Sequence, residues 1–105
     1  MPSRERRRGV YKVPGGKLVA VEFAVVDGLL HDVVVTGDFF LYPEEALPVL
    51  SVAIEGALAI ESSNALAARI AAAIPEGVEL VGASPEALAI AVDRGLHPAE
   101  PEAAP

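Results

Sequence analysis

Two apolar runs joined by Asp27-Gly28 constrain this chain more than any other feature. Residues 18–26 (LVAVEFAVV) and 29–36 (LLHDVVVT) are dense in β-branched and apolar side chains, which suit the pleated surface of a sheet. Only Asp27 and Gly28 separate them. Glycine takes positive φ at no steric cost, so an Asp-Gly pair closes a tight hairpin. Glu22 is the polar break in the first run; His31 and Asp32 are the polar positions of the second. A hairpin with one apolar face is not stable alone, so the rest of the chain must supply a covering layer.

That layer reads as helical. Ser62 or Ser63 is placed to cap a helix through about Ile74, packing on Leu66, Ile70, Ala73 and Ile74, and Pro75-Glu76-Gly77 ends it. Ser84-Pro85-Glu86 opens another with a capping hydroxyl, a proline at the first helical position and an acid in the first turn. This helix runs to about Gly95, with Leu88, Ala91, Val92 and Leu96 on one face. Upstream, Leu47, Leu50, Ile54, Ala57 and Leu58 also follow helical spacing. Pro43 with Glu44 and Glu45 suits a helix start, but Pro48 lacks a donor and clashes with a preceding turn. Either a short turn covers residues 43–47 and the main helix starts near Leu47, or the helix is kinked there.

The remaining segments are connections and ends. Residues 78–81 read as a short third strand or an extended segment, and residues 37–42 as a link between hairpin and helices. Residues 1–12 read as a mobile arm, its first ten residues a flexible basic stretch, and Val13-Pro14-Gly15-Gly16-Lys17 as a turn entering the first strand. Residues 97–105, rich in proline, alanine and glutamate, read as a disordered tail. Strands first and helices later predict an α+β fold over residues 11–96. In it, about three helices pack on one face of a small antiparallel sheet, the hairpin with or without the short strand.

Composition narrows the function classes. A chain of 105 residues supports one core and not two. It has no cysteine, which excludes disulfides, thiolate nucleophiles, iron–sulfur ligation and cysteine-based zinc sites, and fits a cytoplasmic, reducing setting. The arginine cluster near the N-terminus is not followed by an apolar segment of signal-peptide type, and no apolar run is long enough to span a membrane. Residues 1–17 carry six basic side chains and one carboxylate, whereas residues 18–105 carry two arginines against fourteen carboxylates. A nucleic-acid binder needs a basic face on its folded part, and here only the first residues are basic.

The residues that invite a chemical reading do not assemble one. Gly15-Gly16-Lys17 resembles the end of a phosphate loop, but Leu18 replaces the hydroxyl residue, Val10 stands where the first glycine belongs, and the segment enters a strand instead of a helix. Lys17, held at a strand start, is still able to reach a ligand bound by another chain. His31 and His97 are the only histidines and are too far apart in sequence pattern to predict a metal site. Ser62, Ser63 and Ser84 are explained by capping, and Glu44 and Glu45 by the helix dipole.

Thr36-Gly37-Asp38-Phe39-Phe40 is the most distinctive segment. Adjacent side chains of an extended chain diverge, so two large aromatics are hard to bury together. Either one enters the core and the other packs beside it, or one serves as an anchor for a partner. The apolar stretch over residues 47–60 points the same way, because a small sheet covers only one side of it.

Tyr11-Lys12-Val13-Pro14-Gly15-Gly16-Lys17-Leu18, Asp27-Gly28, Val35-Thr36-Gly37-Asp38-Phe39-Phe40, Pro43-Glu44-Glu45, Gly56 and Val81-Gly82-Ala83-Ser84-Pro85-Glu86 occur in this order. Together they resemble the C-terminal domain of lipoate–protein ligases over about residues 11–96. That domain is usually fused behind a larger catalytic domain and in some organisms is a separate polypeptide. A chain that begins with Met and holds only the small domain resembles the separate form. The resemblance implies a fold similar to iron–sulfur scaffold and sulfur-acceptor proteins, without the cysteines those proteins use. It implies an accessory subunit of a two-part ligase, not active alone, whose catalytic partner binds lipoate, ATP and Mg. The pair would form lipoyl-adenylate and lipoylate lysines of lipoyl acceptor domains of 2-oxoacid dehydrogenases or of the glycine cleavage H protein. It also implies that Lys12, Gly15, Gly16 and Lys17, with Asp38, Phe39 and Phe40, face the catalytic subunit near its adenylate site. The competing expectation is a non-catalytic interaction module of the same fold with an unrelated partner.

Overall fold

The computed structural model describes residues 6–97. Five strands and three helices follow in the order β1 (Arg6–Lys12), β2 (Leu18–Val26), β3 (Leu29–Gly37), β4 (Phe40–Tyr42), α1 (Leu47–Ile54), α2 (Ser63–Ala73), β5 (Glu79–Val81) and α3 (Pro85–Leu96), with a 3-10 turn at Glu44–Ala46. The fold is α+β, as the order of strands and helices predicts.

The hairpin forms as expected. Asp27 and Gly28 both take positive φ, at 53° and 77°, and β2 pairs antiparallel with β3 on either side of them. Val19, Val21 and Phe23 of β2 are fully buried beneath the helices, with Val33 and Val35 of β3 beside them. The register slips once, between Glu22 and Ala24, where Asp32 adopts a φ of 55°. Such a bulge leaves a main-chain group unpaired. Here the Val33 N–H donates to Glu55 Oε2 at 2.9 Å.

The N-terminal stretch is not an arm. Residues 6–12 form β1, paired with β2 along its whole length from Arg6↔Ala24 to Lys12↔Leu18. Four basic residues in seven argue for a solvated segment only if all point to water, and alternation prevents that. Arg6 and Arg8 lie on the outer face and flank Glu22 at 3.6 and 3.3 Å. Arg7 and Tyr11 turn inward: Arg7 donates to the Leu96 carbonyl at 3.3 Å, and Arg94 stacks over the Tyr11 ring at 4.9 Å. The folded unit therefore begins at or before Arg6, not at residue 11. Residues 1–5, and all of the expected tail except His97, lie outside the described residues.

The described residues form two sheets instead of one. β1-β2-β3 form the first, and the short strand expected near residues 78–81 pairs with β4 to form the second. The segment expected to be a link thus supplies a strand. The first helix is also shorter than its apolar spacing predicts. A 3-10 turn covers Glu44–Ala46, and Pro48 falls in the first turn of α1, where its missing N–H has no intrahelical partner to lose. α1 stops at Ile54, and Gly56 turns the chain at a φ of 78°. Residues 56–59 then run along β3: Leu30 N–H donates to Ala57 O and Gly56 N–H to Leu30 O.

Capping fixes the other helices. Ser62 accepts from Ala65 N–H and Ser84 from Ala87 N–H, both at 3.1 Å. α3 packs on β1 and β2, α1 on β3, and α2 on α1 and α3, so the helices share one face of the main sheet. None of them is long and apolar enough to cross a membrane.

Candidate functional site

The loop from β1 to β2 is a closed turn. Gly16 N–H donates to Val13 O at 2.8 Å, and Val13 N–H to Lys17 O at 3.0 Å. Gly15, at the exposed tip, has a φ of 68° that favours glycine. Lys17 N–H donates to Gly82 O at 3.2 Å. The amides of Gly16 and Lys17 are therefore engaged by main-chain carbonyls and do not converge on an outside anion. This is the geometric reason the turn is not a phosphate loop.

Gly82 draws the expected residues together. A Cβ on it would stand 2.7 Å from Lys17 Cγ and 3.7 Å from Phe39 Cα, so the lysine stem and the Phe39 backbone both lie against this glycine. Asp38 N–H donates to Leu18 O at 3.0 Å, which locks the end of β3 beside the start of β2. Lys17, Asp38 and Phe39, distant in sequence, thus meet at one end of the molecule. Lys12 stands opposite Leu18 on the outer sheet face. Lys12, Lys17 and Asp38 are exposed and form no ion pair among the described residues.

The two aromatics take different environments. Phe39 is half-buried against the core, whereas Phe40 is 55% exposed. Phe40 opens β4, which pairs Phe40↔Val81, Leu41↔Leu80 and Tyr42↔Glu79. Directly paired residues share a face. Leu41 and Leu80 turn to the core, so Phe40, Val81 and Tyr42 turn to solvent, with Tyr42 53% exposed. Leu47 at the start of α1 is exposed as well. Between the end of β3 and the start of α1 lies an open cleft of about 490 Å³, lined by Val35, Thr36, Phe39, Phe40, Tyr42 and Leu47.

This patch offers apolar area, an exposed lysine and carboxylates at its edge. Clustered aromatics open to water are costly on a surface with no partner. Among the described residues, no group of three or more His, Cys, Asp or Glu is placed to hold a metal ion. His31 lies opposite Ala24 on the outer face of the main sheet, and His97 follows α3.

No family model matches the chain, and no curated protein matches it in sequence. One solved structure does. The chain is similar to one in the structure of an archaeal lipoylation system from Thermoplasma acidophilum, described as a bi-partite lipoate protein ligase and its E2 lipoyl domain. The TM-score is 0.62 at 22% identity, and the match covers 88% of this chain and 97% of the other. The two are therefore of similar length and share their fold over most of it.

Tyr42, Val81 and Gly82 complete the patch and are absent from the residues expected to form it, and Leu47 joins them from the apolar stretch over residues 47–60. The alternation Phe40-Leu41-Tyr42 signals that Tyr42 follows Phe40 to the same face. Val81 and Gly82 carry no such signal, because their place depends on a strand pairing across about forty residues.

Proposed function

We propose that this chain is the accessory subunit of a two-part lipoate–protein ligase. The observation that carries the reading is the fold match, over 88% of this chain, to a chain of similar length in a lipoylation system whose ligase has two parts. The order of the Pro-Gly-Gly-Lys and Gly-Asp-Phe-Phe motifs supports the same reading on separate grounds. On it, the catalytic subunit binds lipoate, ATP and Mg, and the small chain docks through Phe40, Tyr42, Val81 and Leu47. Lys17 then stands at the edge of the interface, where its charge stabilises developing negative charge on the adenylate. Docking orders the partner's site, and the pair passes lipoate to the lysine of an acceptor domain.

The test is lipoyl-adenylate formation from lipoate and ATP by the source organism's catalytic subunit, with and without this chain. Activity only when both are present supports the accessory role. Full activity of the catalytic subunit alone, with no complex on mixing, overturns it and leaves an interaction module with another partner.

A further inference from the structure

β3 is an edge strand, and only part of its edge is covered. Residues 56–59 bond along it near Leu30, and Glu55 takes the Val33 N–H. Beyond Val33 the edge opens onto the cleft. Main-chain groups of an antiparallel strand alternate in direction from residue to residue. The Val33 N–H points away from β2, to Glu55, and the Asp38 N–H points toward β2, to Leu18. Alternation between these two points turns the Val35 N–H and C=O away from β2. No main-chain partner meets them among the described residues. The unpaired edge therefore lies in the wall of the cleft, beside the exposed Phe40, Tyr42 and Leu47.

The rim has a definite charge. Glu44 lines the cleft, Glu45 follows it, and Glu79 stands opposite Tyr42. None of the three has an ion-pair partner among the described residues.

Resting on the accessory-subunit reading, we propose that the cleft takes up an extended segment of the catalytic subunit by strand addition to β3 at Val35. That segment carries an apolar side chain onto Phe40, Tyr42 and Leu47, and a lysine or arginine toward Glu44 and Glu79. Strand addition draws its affinity from the main-chain bonds and its specificity from alternate side-chain pockets. Charge selects this occupant over two others. A second copy would bring the same carboxylates against Glu44 and Glu79. The chain's own last residues carry Glu100 and Glu102, and Pro98, Pro101 and Pro105 have no N–H to give a ladder.

The experiment is residue-resolved amide hydrogen exchange on the full chain, free and saturated with the catalytic subunit. Binding is measured in parallel for wild type and for Glu44→Lys/Glu79→Lys. The expected result is at least about tenfold slower exchange of the Val35 amide in the complex, with about tenfold weaker binding of the charge-reversed variant. A complex that forms while Val35 exchanges at its free rate overturns strand addition and leaves the accessory role standing. Undiminished binding by the charge-reversed variant overturns the basic occupant. Failure to form any complex overturns both readings. Concentration-dependent protection of Val35 in the isolated chain overturns the proposal in favour of a second copy.

Discussion

The Lys17 amide donates to the Gly82 carbonyl at 3.2 Å, and the lysine stem lies across the face of that glycine, where a Cβ would come within 2.7 Å of Cγ. The position of the lysine is therefore set by a residue 65 places further along the chain. Lys17→Ala removes an exposed charge and leaves the main-chain bond in place. Stability should stay within about 0.5 kcal/mol of wild type. On the proposed accessory role, adenylate formation with the catalytic subunit should fall about tenfold or more. Gly82→Ala should act on the same site by displacement: its φ of 89° disfavours a side chain by about 1–2 kcal/mol, and the new methyl pushes the lysine stem aside. Steady-state adenylation assays with denaturant melts on both variants check the pair. Unchanged partner binding and unchanged adenylation in Lys17→Ala would sink the assignment of Lys17.

Phe39 and Phe40 separate stability from binding. Phe40 is more than half exposed, so Phe40→Ala should leave the melting temperature nearly unchanged. If the proposed interface is right, its loss should weaken partner binding by about 2 kcal/mol, or roughly thirtyfold. Tyr42→Ala should behave alike, because Tyr42 shares its face. Phe39 packs on the core, and its truncation should cost about 2 kcal/mol of stability. Titration calorimetry against the catalytic subunit, beside thermal melts, distinguishes the two effects. Wild-type affinity in both Phe40→Ala and Tyr42→Ala would place the interface elsewhere.

What the sequence made legible was local. The hairpin, the Ser62 and Ser84 caps and the breaks at Pro75 and Gly77 rest on chemistry within a few residues of each position, and the structure has them where that chemistry puts them. What it hid was long-range. β1 looked like an arm because Arg6, Arg7 and Arg8 are consecutive, yet only alternate ones must reach water, and Glu22 waits between Arg6 and Arg8 on the neighbouring strand. β4 is three residues long and finds its partner only through the fold. α1 ended early because Gly56 at a φ of 78° and the bond from Leu30 N–H to Ala57 O outweigh apolar spacing. For the candidate site, the motifs supplied Lys17, Asp38, Phe39 and Phe40. Gly82, against which Lys17 and Phe39 both lie, stood in a motif at the entry to α3, and nothing local tied it to the other two.

Gly9 and Gly95 mark the closest approach of strand and helix. A Cβ on Gly95 would stand 3.0 Å from the Phe23 ring and 3.1 Å from the Gly9 nitrogen, and one on Gly9 would overlap the Ala91 carbonyl. No side chain yields there, since the obstacle to Gly9 is main chain. Gly9→Ala must push α3 off the sheet and should cost about 1–3 kcal/mol or more. For a domain of this size, each kcal/mol lowers the melting temperature by about 4–8 °C. Thermal melts of Gly9→Ala against Pro14→Ala, an exposed control in the turn, read the difference. A Gly9→Ala protein as stable as wild type would contradict this packing.

Arg69 and Glu55 together close the end of α1. Arg69 Nε donates to the Ala53 carbonyl at 2.7 Å and Nη2 to the Glu55 carbonyl at 3.1 Å, while Glu55 Oε2 accepts from Val33 N–H at 2.9 Å. A guanidinium at a helix C-terminus satisfies orphan carbonyls and complements the dipole. Arg69→Ala should therefore cost about 1–3 kcal/mol, and Arg69→Lys should recover only part of it, because an ammonium cannot reproduce the two-pronged geometry. Glu55→Ala should cost about 1–3 kcal/mol through the orphaned Val33 N–H, and Glu55→Gln, which keeps an oxygen acceptor, should cost less. Because both residues act on one turn, the double variant Arg69→Ala/Glu55→Ala should lose less than the two single losses combined. Urea midpoints of the five variants decide it. Strict additivity would mean that the two residues stabilise separate parts of the fold, and that the bulge at Asp32 and the end of α1 are not one unit.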